Sequence, residues 1–423
     1  MIAIAMSPDP QDIHIDRDPP GWADVRFSGL LAATADRHPG RLALSDQPNR
    51  ETWSGRPRIA WTYANTRHIV ERLATALAGL DLPPDSPVGI CLPNGSEACV
   101  ALLAVDRAGY VPCLLPVGWP EETLGQALEA ANIAAIICQS RVAEELPADM
   151  FCRLAARYFG IRFICAFGPQ VPDGVIDLDR AIIDTKANMA ETKVGSFPGL
   201  VTFQSRDGRV QPLFRPYASS VAAAFSVLAA RRIGAADRIL SLLAPDDLRG
   251  LTTGLVAALI TGATLECHGL FDGASLEAAC QTDRPTHLVA PGWMESVLVA
   301  AELPDSIVSV ILVHEAPVRF KARGELQQSV TDVLGFGELA LVSRTRSESG
   351  HLTLSLEQDG DLDGKHDSLR IRRDDDGTIH FGGSAAEVYD FARGAALLSA
   401  QAPQWRSCGY KADLFAGIVI GVR

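Results

Sequence analysis

The amino-acid sequence predicts an α/β protein with two stacked, doubly wound α/β subdomains, followed by a small β-rich, barrel-like subdomain. Three observations carry this prediction. Short apolar runs alternate with segments of helical periodicity, which is typical of parallel sheets covered by helices on both faces. A polar stretch near residues 185–199 divides the alternation into two blocks. After residue 345 polar and apolar residues alternate, with Asp-Gly turns at 359–360, 363–364 and 376–377, which favours antiparallel hairpins.

The first block shows the alternation most clearly. Residues 62–80 repeat apolar positions at helical spacing until Pro83 and Pro84 stop the helix. Helical patterns also cover residues 97–109 and 121–131. The predicted strands of this block are VGICL (88–92), YVPCLLPV (110–117) and IAAIICQ (133–139).

The second block repeats the scheme, with predicted helices over residues 218–232, 250–262 and 274–281. Its predicted strands are GLVTFQ (199–204), RILSLLAP (238–245), ATLECHG (263–269), THLVAP (286–291) and VSVILVH (308–314). The predicted division is therefore a loose N-terminal arm (1–27), two α/β subdomains (28–195 and 196–344) and the β-rich subdomain (345–423).

The composition excludes several classes of function. A net charge of -13 and a pI of about 5.2 disfavour binding to nucleic acid or anionic membranes. No apolar run reaches the roughly 18–20 residues that span a bilayer, and the N-terminus lacks the basic region of a signal peptide. The nine cysteines form no CxxC pair, so we expect buried, reduced thiols, no metal site and a cytoplasmic protein. An oligomer is compatible with all of this.

Three segments carry a family resemblance. WTYANTRHIVERLATALAGLDLPPDSPVGICLPNGSEACVALLAVDRAGYVPCLLPV (61–117), DRILSLLAPDDLRGLTTGLVAALITGATL (237–265) and THLVAPGWMESVL (286–298) resemble the N-terminal body of the adenylate-forming superfamily. That superfamily contains acyl-CoA synthetases, peptide-synthetase adenylation domains and luciferase. Its members adenylate a carboxylate with ATP and pass the acyl group to a thiol. The resemblance runs from about residue 28 to residue 423 and places the family's hinge at 417–423, so we expect its mobile C-terminal domain to be absent.

The family's phosphate loop, rich in Ser, Thr and Gly and ending in Pro-Lys-Gly, falls on QSRDGRVQP (204–212). Gly208 remains, but the lysine position is Gln211 and a hydroxyl position is Asp207. A carboxylate repels phosphate, and loss of the cation removes a charge-assisted hydrogen bond. Ser205, Arg206 and Arg209 complete this degenerate loop. Because a guanidinium binds phosphate well, either arginine could compensate.

The family's aromatic-Gly-x-Thr-Glu segment, which contacts phosphate and magnesium, falls on GFGELAL (335–341). Gly335, Phe336 and Gly337 match. The Thr position is Leu339 and the Glu position is Ala340, so the oxygen ligands that magnesium needs are missing. Glu338 lies two residues early and is expected to be displaced.

The family's ribose-binding Thr-Gly-Asp motif fits in two registers. Spacing from Trp405 places it on Cys408, Gly409 and Tyr410, without an acid. A shift of three residues instead places Asp413 at the acid position. A carboxylate suits a ribose diol because it accepts two hydrogen bonds.

The resemblance also implies a nucleotide and acyl cleft. His314 and Glu315 fill positions that are small in the family's adenine-binding Gly-Gly-Ala-Pro stretch, whereas Ala316 and Pro317 match it. We expect the pair to crowd an adenine; it could instead act as an acid and a base. Leu248 takes the place of the family's pocket histidine, and Trp293 falls where an acyl-pocket residue is expected.

These replacements agree in direction and predict a catalytically impaired homologue that needs no cofactor. We expect its partner to be an acyl group, an acyl carrier or a partner enzyme. Two alternatives stay open. One is a divergent active ligase that uses ATP and Mg²⁺ through Arg206, Arg209 and Glu338. The other is an enzyme without ATP chemistry built around His314 and Glu315.

Overall fold

The computed structural model describes residues 25–187, 195–196, 198–206, 208–319, 326–346, 368–391, 405–415 and 418–423. A π-helical segment (Leu251–Val256) joins two short helices, and a 3₁₀ turn (Gly292–Met294) precedes the last helix. The helices are α1 (Phe27–Arg37), α2 (Arg50–Ser54), α3 (Tyr63–Ala78), α4 (Ser96–Arg107), α5 (Glu121–Ala130), α6 (Pro147–Ala155), α7 (Leu178–Asp184), α8 (Tyr217–Ala230), α9 (Leu248–Gly250), α10 (Ala257–Thr261), α11 (Gly273–Cys280) and α12 (Glu295–Ala300).

All eight strands predicted in the two blocks are present, whereas others, such as Leu42–Asp46 and Phe163–Phe167, were not predicted. The strands are β1 (Leu42–Asp46), β2 (Ala60–Thr62), β3 (Pro87–Cys91), β4 (Val111–Leu114), β5 (Ala135–Gln139), β6 (Phe163–Phe167), β7 (Ile176–Asp177), β8 (Gly199–Arg206), β9 (Arg209–Pro216), β10 (Arg238–Ser241), β11 (Thr264–Cys267), β12 (Thr286–Pro291), β13 (Ile307–Glu315), β14 (Val318–Arg319), β15 (Ser329–Phe336), β16 (Ala340–Thr345), β17 (Arg370–Arg373), β18 (Thr378–Gly382), β19 (Tyr389–Asp390), β20 (Arg406–Phe415) and β21 (Ile418–Val422).

Two eight-stranded sheets form the α/β body. The first has the order β19-β9-β8-β4-β3-β5-β6-β7 and is parallel from β8 to β7. The second has the order β16-β15-β13-β12-β10-β11-β1-β2 and is parallel from β15 to β1. The fold class is therefore as predicted from the alternation. Helix α4 is buried along almost its whole length, which is typical of a helix inside a large core.

The chain interleaves the two sheets more than the division at residue 195 implies. Strands β1 and β2, from the first predicted subdomain, pair into the second sheet. Strands β8 and β9, from the second predicted subdomain, pair into the first sheet. The boundaries 28–195 and 196–344 therefore do not coincide with the sheets, because periodicity indicates strands but not their neighbours.

A smaller antiparallel sheet follows, as predicted, with the order β14-β21-β20-β18-β17. The Asp-Gly pair at 376–377 forms the turn between β17 and β18, whereas the pairs at 359–360 and 363–364 lie outside the described residues. Most of the predicted arm also lies outside them. Its last two residues are held in the fold: Phe27 is buried, and Arg26 binds the carboxylate of Asp106 at 3.0 Å.

Two sequence expectations about side chains and membranes can be compared with the fold. All nine cysteines lie in the described residues, none of them forms a disulfide there, and all but Cys152 are buried, as expected for structural thiols. Within the described part of the chain, no helix combines the length and apolar character that crossing a membrane requires.

Candidate functional site

The segment at the family's phosphate-loop position forms a tight β-hairpin. Strands β8 and β9 pair in register up to Arg206 opposite Arg209, with two residues between them in the chain. Gly208 has a positive φ of 72°, a conformation that glycine adopts without strain. Asp207 lies outside the described residues, and only the backbone of Arg206 is described. Regular pairing thus continues to the tip of this segment, whereas an open phosphate loop leaves its backbone N–H groups unpaired.

Gln211, at the family's lysine position, lies within strand β9. Its side-chain amide donates a hydrogen bond to Oδ1 of Asp390, at 2.9 Å. Asp390 reaches it because β19 pairs with β9 along the same edge. Ser205 is exposed and pairs with Val210. Arg209, Gln211 and Leu213 alternate along β9 and so share one face of the hairpin.

The turn after β15 contacts this hairpin. Gly337 has a positive φ of 55°, and a Cβ there would lie 3.3 Å from Nε2 of Gln204. Phe336 is buried and contacts the ring of Tyr410, with centroids 6.5 Å apart. The β8–β9 hairpin and the turn after β15 thus lie side by side.

Glu338 points into the protein. Its Oε2 accepts a hydrogen bond from the backbone N–H of Leu248 at 3.0 Å. Burial, together with the nearby carboxylate of Asp247, raises the pKa of Glu338 to about 8. Leu339 and Ala340, at the family's Thr and Glu positions, are both buried.

Arg215 holds the turn after β15 in place. Its buried guanidinium donates to the backbone carbonyls of Glu338 and Leu339, and also to Oγ of Ser219. Burial lowers the pKa of Arg215 to about 10, which leaves it charged at neutral pH. The turn is thus tied to α8, which carries Ser219.

The two candidate ribose positions lie apart. Tyr410 is beside Phe336, whereas Asp413 forms an ion pair with Arg423 at 3.0 Å in the β20–β21 hairpin. Cys408 is buried, and its thiol donates to the carbonyl of Ile379 at 3.2 Å.

These elements enclose a cavity of about 640 Å³. One wall is the β8–β9 hairpin face, the floor is the turn after β15, and the opposite wall is the start of β20. We call it the hairpin cavity. Its lining residues are Gln204, Arg209, Gln211, Leu213, Phe336, Leu339, Val388, Arg406, Ser407 and Cys408.

The residues of the predicted acyl cleft are arranged differently. Trp293 is 64% exposed, in the 3₁₀ turn, and does not line the hairpin cavity. Leu248 is fully buried in the main core. The Cδ of Arg249 lies 2.8 Å from where a Cβ on Gly335 would be, so this side chain covers the face of Gly335. The Trp293 side chain therefore reaches solvent, whereas the Leu248 side chain lies in the core.

His314 and Glu315 contact different partners. Glu315, which is exposed, binds Arg249 at 2.7 Å, and Ala316 beside it is buried while Pro317 is exposed. His314 Nε2 lies 2.9 Å from Oδ1 of Asp332. Burial alone would raise the pKa of Asp332, but hydrogen bonds from His314 and Arg346 lower it. The two neighbours thus contact different partners, Asp332 and Arg249, which disfavours them as an acid–base pair.

Sequence reasoning missed three charged residues: Arg249, Arg406 and Asp390. Arg249 lies in PDDLRG and Arg406 directly follows Trp405, so both stood inside segments that the resemblance covers. Their roles depend on contacts with distant residues, Glu315 for Arg249 and Asp390 for Arg406.

Sequence comparisons find similarity to AMP-binding enzymes and to peptide synthetases. The model of the AMP-binding enzyme family matches residues 31–159. Salicyl-AMP ligase / salicyl-S-ArCP synthetase of Mycobacterium tuberculosis is 32% identical over 136 residues, which are 30% of this chain and 23% of that protein. A linear gramicidin synthase of Brevibacillus parabrevis is 26% identical over 268 residues, 62% of this chain and 3% of that protein. The chain thus matches less than a quarter of either relative.

Solved structures extend the likeness to almost the whole chain. Apo MbtA of Mycobacterium smegmatis has a TM-score of 0.73 at 19% identity, covering 95% of this chain and 76% of that chain. The N-terminal domain of FACL13 from Mycobacterium tuberculosis has a TM-score of 0.71 at 15% identity, covering 94% of this chain and 100% of that one. Residues 31–159 therefore match the model of the AMP-binding enzyme family, and the chain as a whole shares its fold with the N-terminal domain of FACL13 and with MbtA.

Proposed function

We propose that this chain is an acyl- or partner-binding member of its family that does not adenylate carboxylates with ATP. The observation that carries the proposal is the turn after β15. Ala340 stands where the family has its magnesium-binding carboxylate and is buried in a strand. The neighbouring Glu338 carboxylate is turned inward and bonded to the N–H of Leu248. Because magnesium needs accessible oxygen ligands, these residues do not fit ATP with Mg²⁺.

The β8–β9 hairpin, at the position of the family's phosphate loop, supports the same proposal. A triphosphate is held by backbone N–H groups of an open, glycine-rich loop and by a cation. In this chain the backbone of residues 199–206 is paired with that of residues 209–216. The residue at the lysine position, Gln211, is uncharged and bonded to Asp390. Two of the features that hold phosphate are thus replaced by strand pairing and a neutral side chain.

An acyl group is the first ligand class to examine, since one relative is a salicyl-AMP ligase. The hairpin cavity has apolar lining at Leu213, Phe336, Leu339 and Val388. Its volume lies within the roughly 300–1,000 Å³ typical of small-molecule sites.

One observation favours the alternative of a divergent ligase. Arg209 lies on the wall of the hairpin cavity, where a guanidinium could bind a phosphate. On that alternative Arg209 replaces the family's lysine, and Arg209→Ala abolishes adenylation.

The deciding experiment combines calorimetry and isotope exchange. We expect ATP with Mg²⁺ to bind with a Kd weaker than about 1 mM, and no carboxylate-dependent exchange of pyrophosphate into ATP. An active adenylate-forming enzyme, assayed in parallel, is the positive control. A low-micromolar Kd, or exchange that Arg209→Ala removes, would establish the divergent ligase instead.

A further inference from the structure

The hairpin cavity has a guanidinium on each of two facing walls. Arg209 projects from β9 on the same face as Gln211, and Arg406 begins β20 on the opposite wall. The protein carries a net charge of -13, so two arginines at one cavity are a local reversal of its charge. Cavities lined by charge of one sign concentrate ligands of the opposite sign.

Some hydrogen-bond donors of Arg209 and Arg406 have no acceptor among the described residues. Nη1 of Arg406 lies 3.4 Å from Oδ1 of Asp390, the same oxygen that accepts from Gln211 at 2.9 Å. The buried Nε of Arg406 has no hydrogen-bond acceptor within the described residues. Arg209 is exposed and forms no ion pair with any described residue. Asp390 thus contacts Arg406 and Gln211, and no described carboxylate forms an ion pair with Arg209.

The floor between the arginines is apolar. Phe336 and Leu339 come from the turn after β15, and Val388 precedes β19. Cys408, at the family's ribose-motif position, adds a thiol and no carboxylate. The lining residues that the structure describes thus offer cations and apolar contacts, and none of them is an acid that could hold a ribose.

We infer that the hairpin cavity binds an amphiphilic oxyanion that is not a nucleotide: a carboxylate or phosphate monoester with an apolar chain or ring. The oxyanion lies between Arg209 and Arg406, and the apolar part lies on Phe336 and Leu339. This inference rests on the proposed function, because a chain that used ATP would fill the same cavity with nucleotide. Both oxyanions match the planar donor geometry of guanidinium groups.

The test uses four probes with one apolar chain: octanoate, octyl phosphate, octylammonium and octanol. Calorimetry on the full chain is expected to show binding of octanoate or octyl phosphate at least about tenfold tighter than octanol, since a charge-assisted hydrogen bond contributes about 10- to 150-fold. Octylammonium is expected not to bind. The stronger of the two anions identifies carboxylate or phosphate as the natural head group.

Variants locate the binding site. Arg209→Gln and Arg406→Gln are each expected to weaken the anion about tenfold or more, whereas Arg406→Lys retains part of the affinity. Arg157→Gln, an exposed arginine paired with Glu121, is the matched control and should change nothing. Circular dichroism and thermal melting establish that each variant is folded.

The outcomes separate the two proposals. Equal binding of octanol and the anions, or anion binding that both Arg→Gln variants retain, overturns the oxyanion site and leaves the proposed loss of ATP use intact. Micromolar ATP binding with pyrophosphate exchange overturns the proposed function. Anion preference that depends on both arginines, without ATP binding, supports both.

Discussion

Two sets of arginines in this molecule differ in how their charge is satisfied. Arg50 is 1% exposed and contacts the carboxylates of Asp46 and Glu97, which joins β1 and α4. Arg215 is buried and bonded to carbonyls. Arg209 and Arg406 instead line a cavity, and among the described residues Arg406 forms one ion pair, with Asp390. A saturated buried arginine holds elements together, whereas an arginine with unused donors beside a cavity is available to a ligand.

The largest effect expected from this comparison is on stability. Arg50→Met removes the cation between two buried carboxylates, and breaking a buried ion pair in this way costs about 3–5 kcal/mol. Arg56, 3.0 Å from Glu97, offsets part of that loss. Urea denaturation measures it. Arg209→Met is the matched variant and should change the free energy of unfolding by less than about 0.5 kcal/mol. Equal losses in both variants would show that the two sets do not differ.

The comparison also shows where sequence reasoning succeeded and where it stopped. The elements were predictable because periods of two and about 3.6 residues mark strands and helices directly. The hairpin was not predicted, although Asp-Gly at 207–208 is a strong hairpin signal. The family's phosphate loop took precedence over this local signal. The Arg406–Asp390–Gln211 contact could not be predicted, because it depends on β19 joining β9 at the sheet edge.

A second prediction concerns the pH dependence of stability that follows from the buried carboxyl group of Glu338. Arg215 donates to the Glu338 backbone, and the carboxyl keeps a pKa of about 8, above its ordinary 4.5. The folded state therefore binds more protons than the unfolded state between about pH 4.5 and pH 8. Stability falls as pH rises through that window and levels off above it. Asp246, whose pKa burial and Asp247 raise to about 7, contributes with the same sign.

Glu338→Gln should remove part of this pH dependence. A glutamine side chain can still accept from the Leu248 N–H but carries no charge at any pH. We compare the free energy of unfolding of the variant with that of wild type at each pH. Between pH 5 and pH 9 this difference is expected to shift by about 1–3 kcal/mol in favour of the variant. Urea denaturation at both pH values measures this gain. Glu277→Gln, at an exposed glutamate on α11, should follow wild type. A Glu338→Gln profile parallel to wild type would mean that the carboxyl is not buried in solution.

The smallest expected effect tests whether one cation can turn the hairpin cavity back into a nucleotide site. Gln211→Lys restores the family's lysine on the face that carries Arg209. The new ammonium replaces the Gln211 amide beside Asp390, so stability should change by less than about 0.5 kcal/mol. Octanoate should bind more tightly, by up to about fivefold, as expected for one more partly solvated charge.

Pyrophosphate exchange should stay absent, because Ala340 offers no metal ligand and the hairpin backbone stays paired. Exchange in this single variant would mean that the lysine alone was missing and that the buried turn can open to admit Mg²⁺. Exchange only in a Gln211→Lys, Ala340→Glu double variant would instead identify the buried alanine as the second barrier.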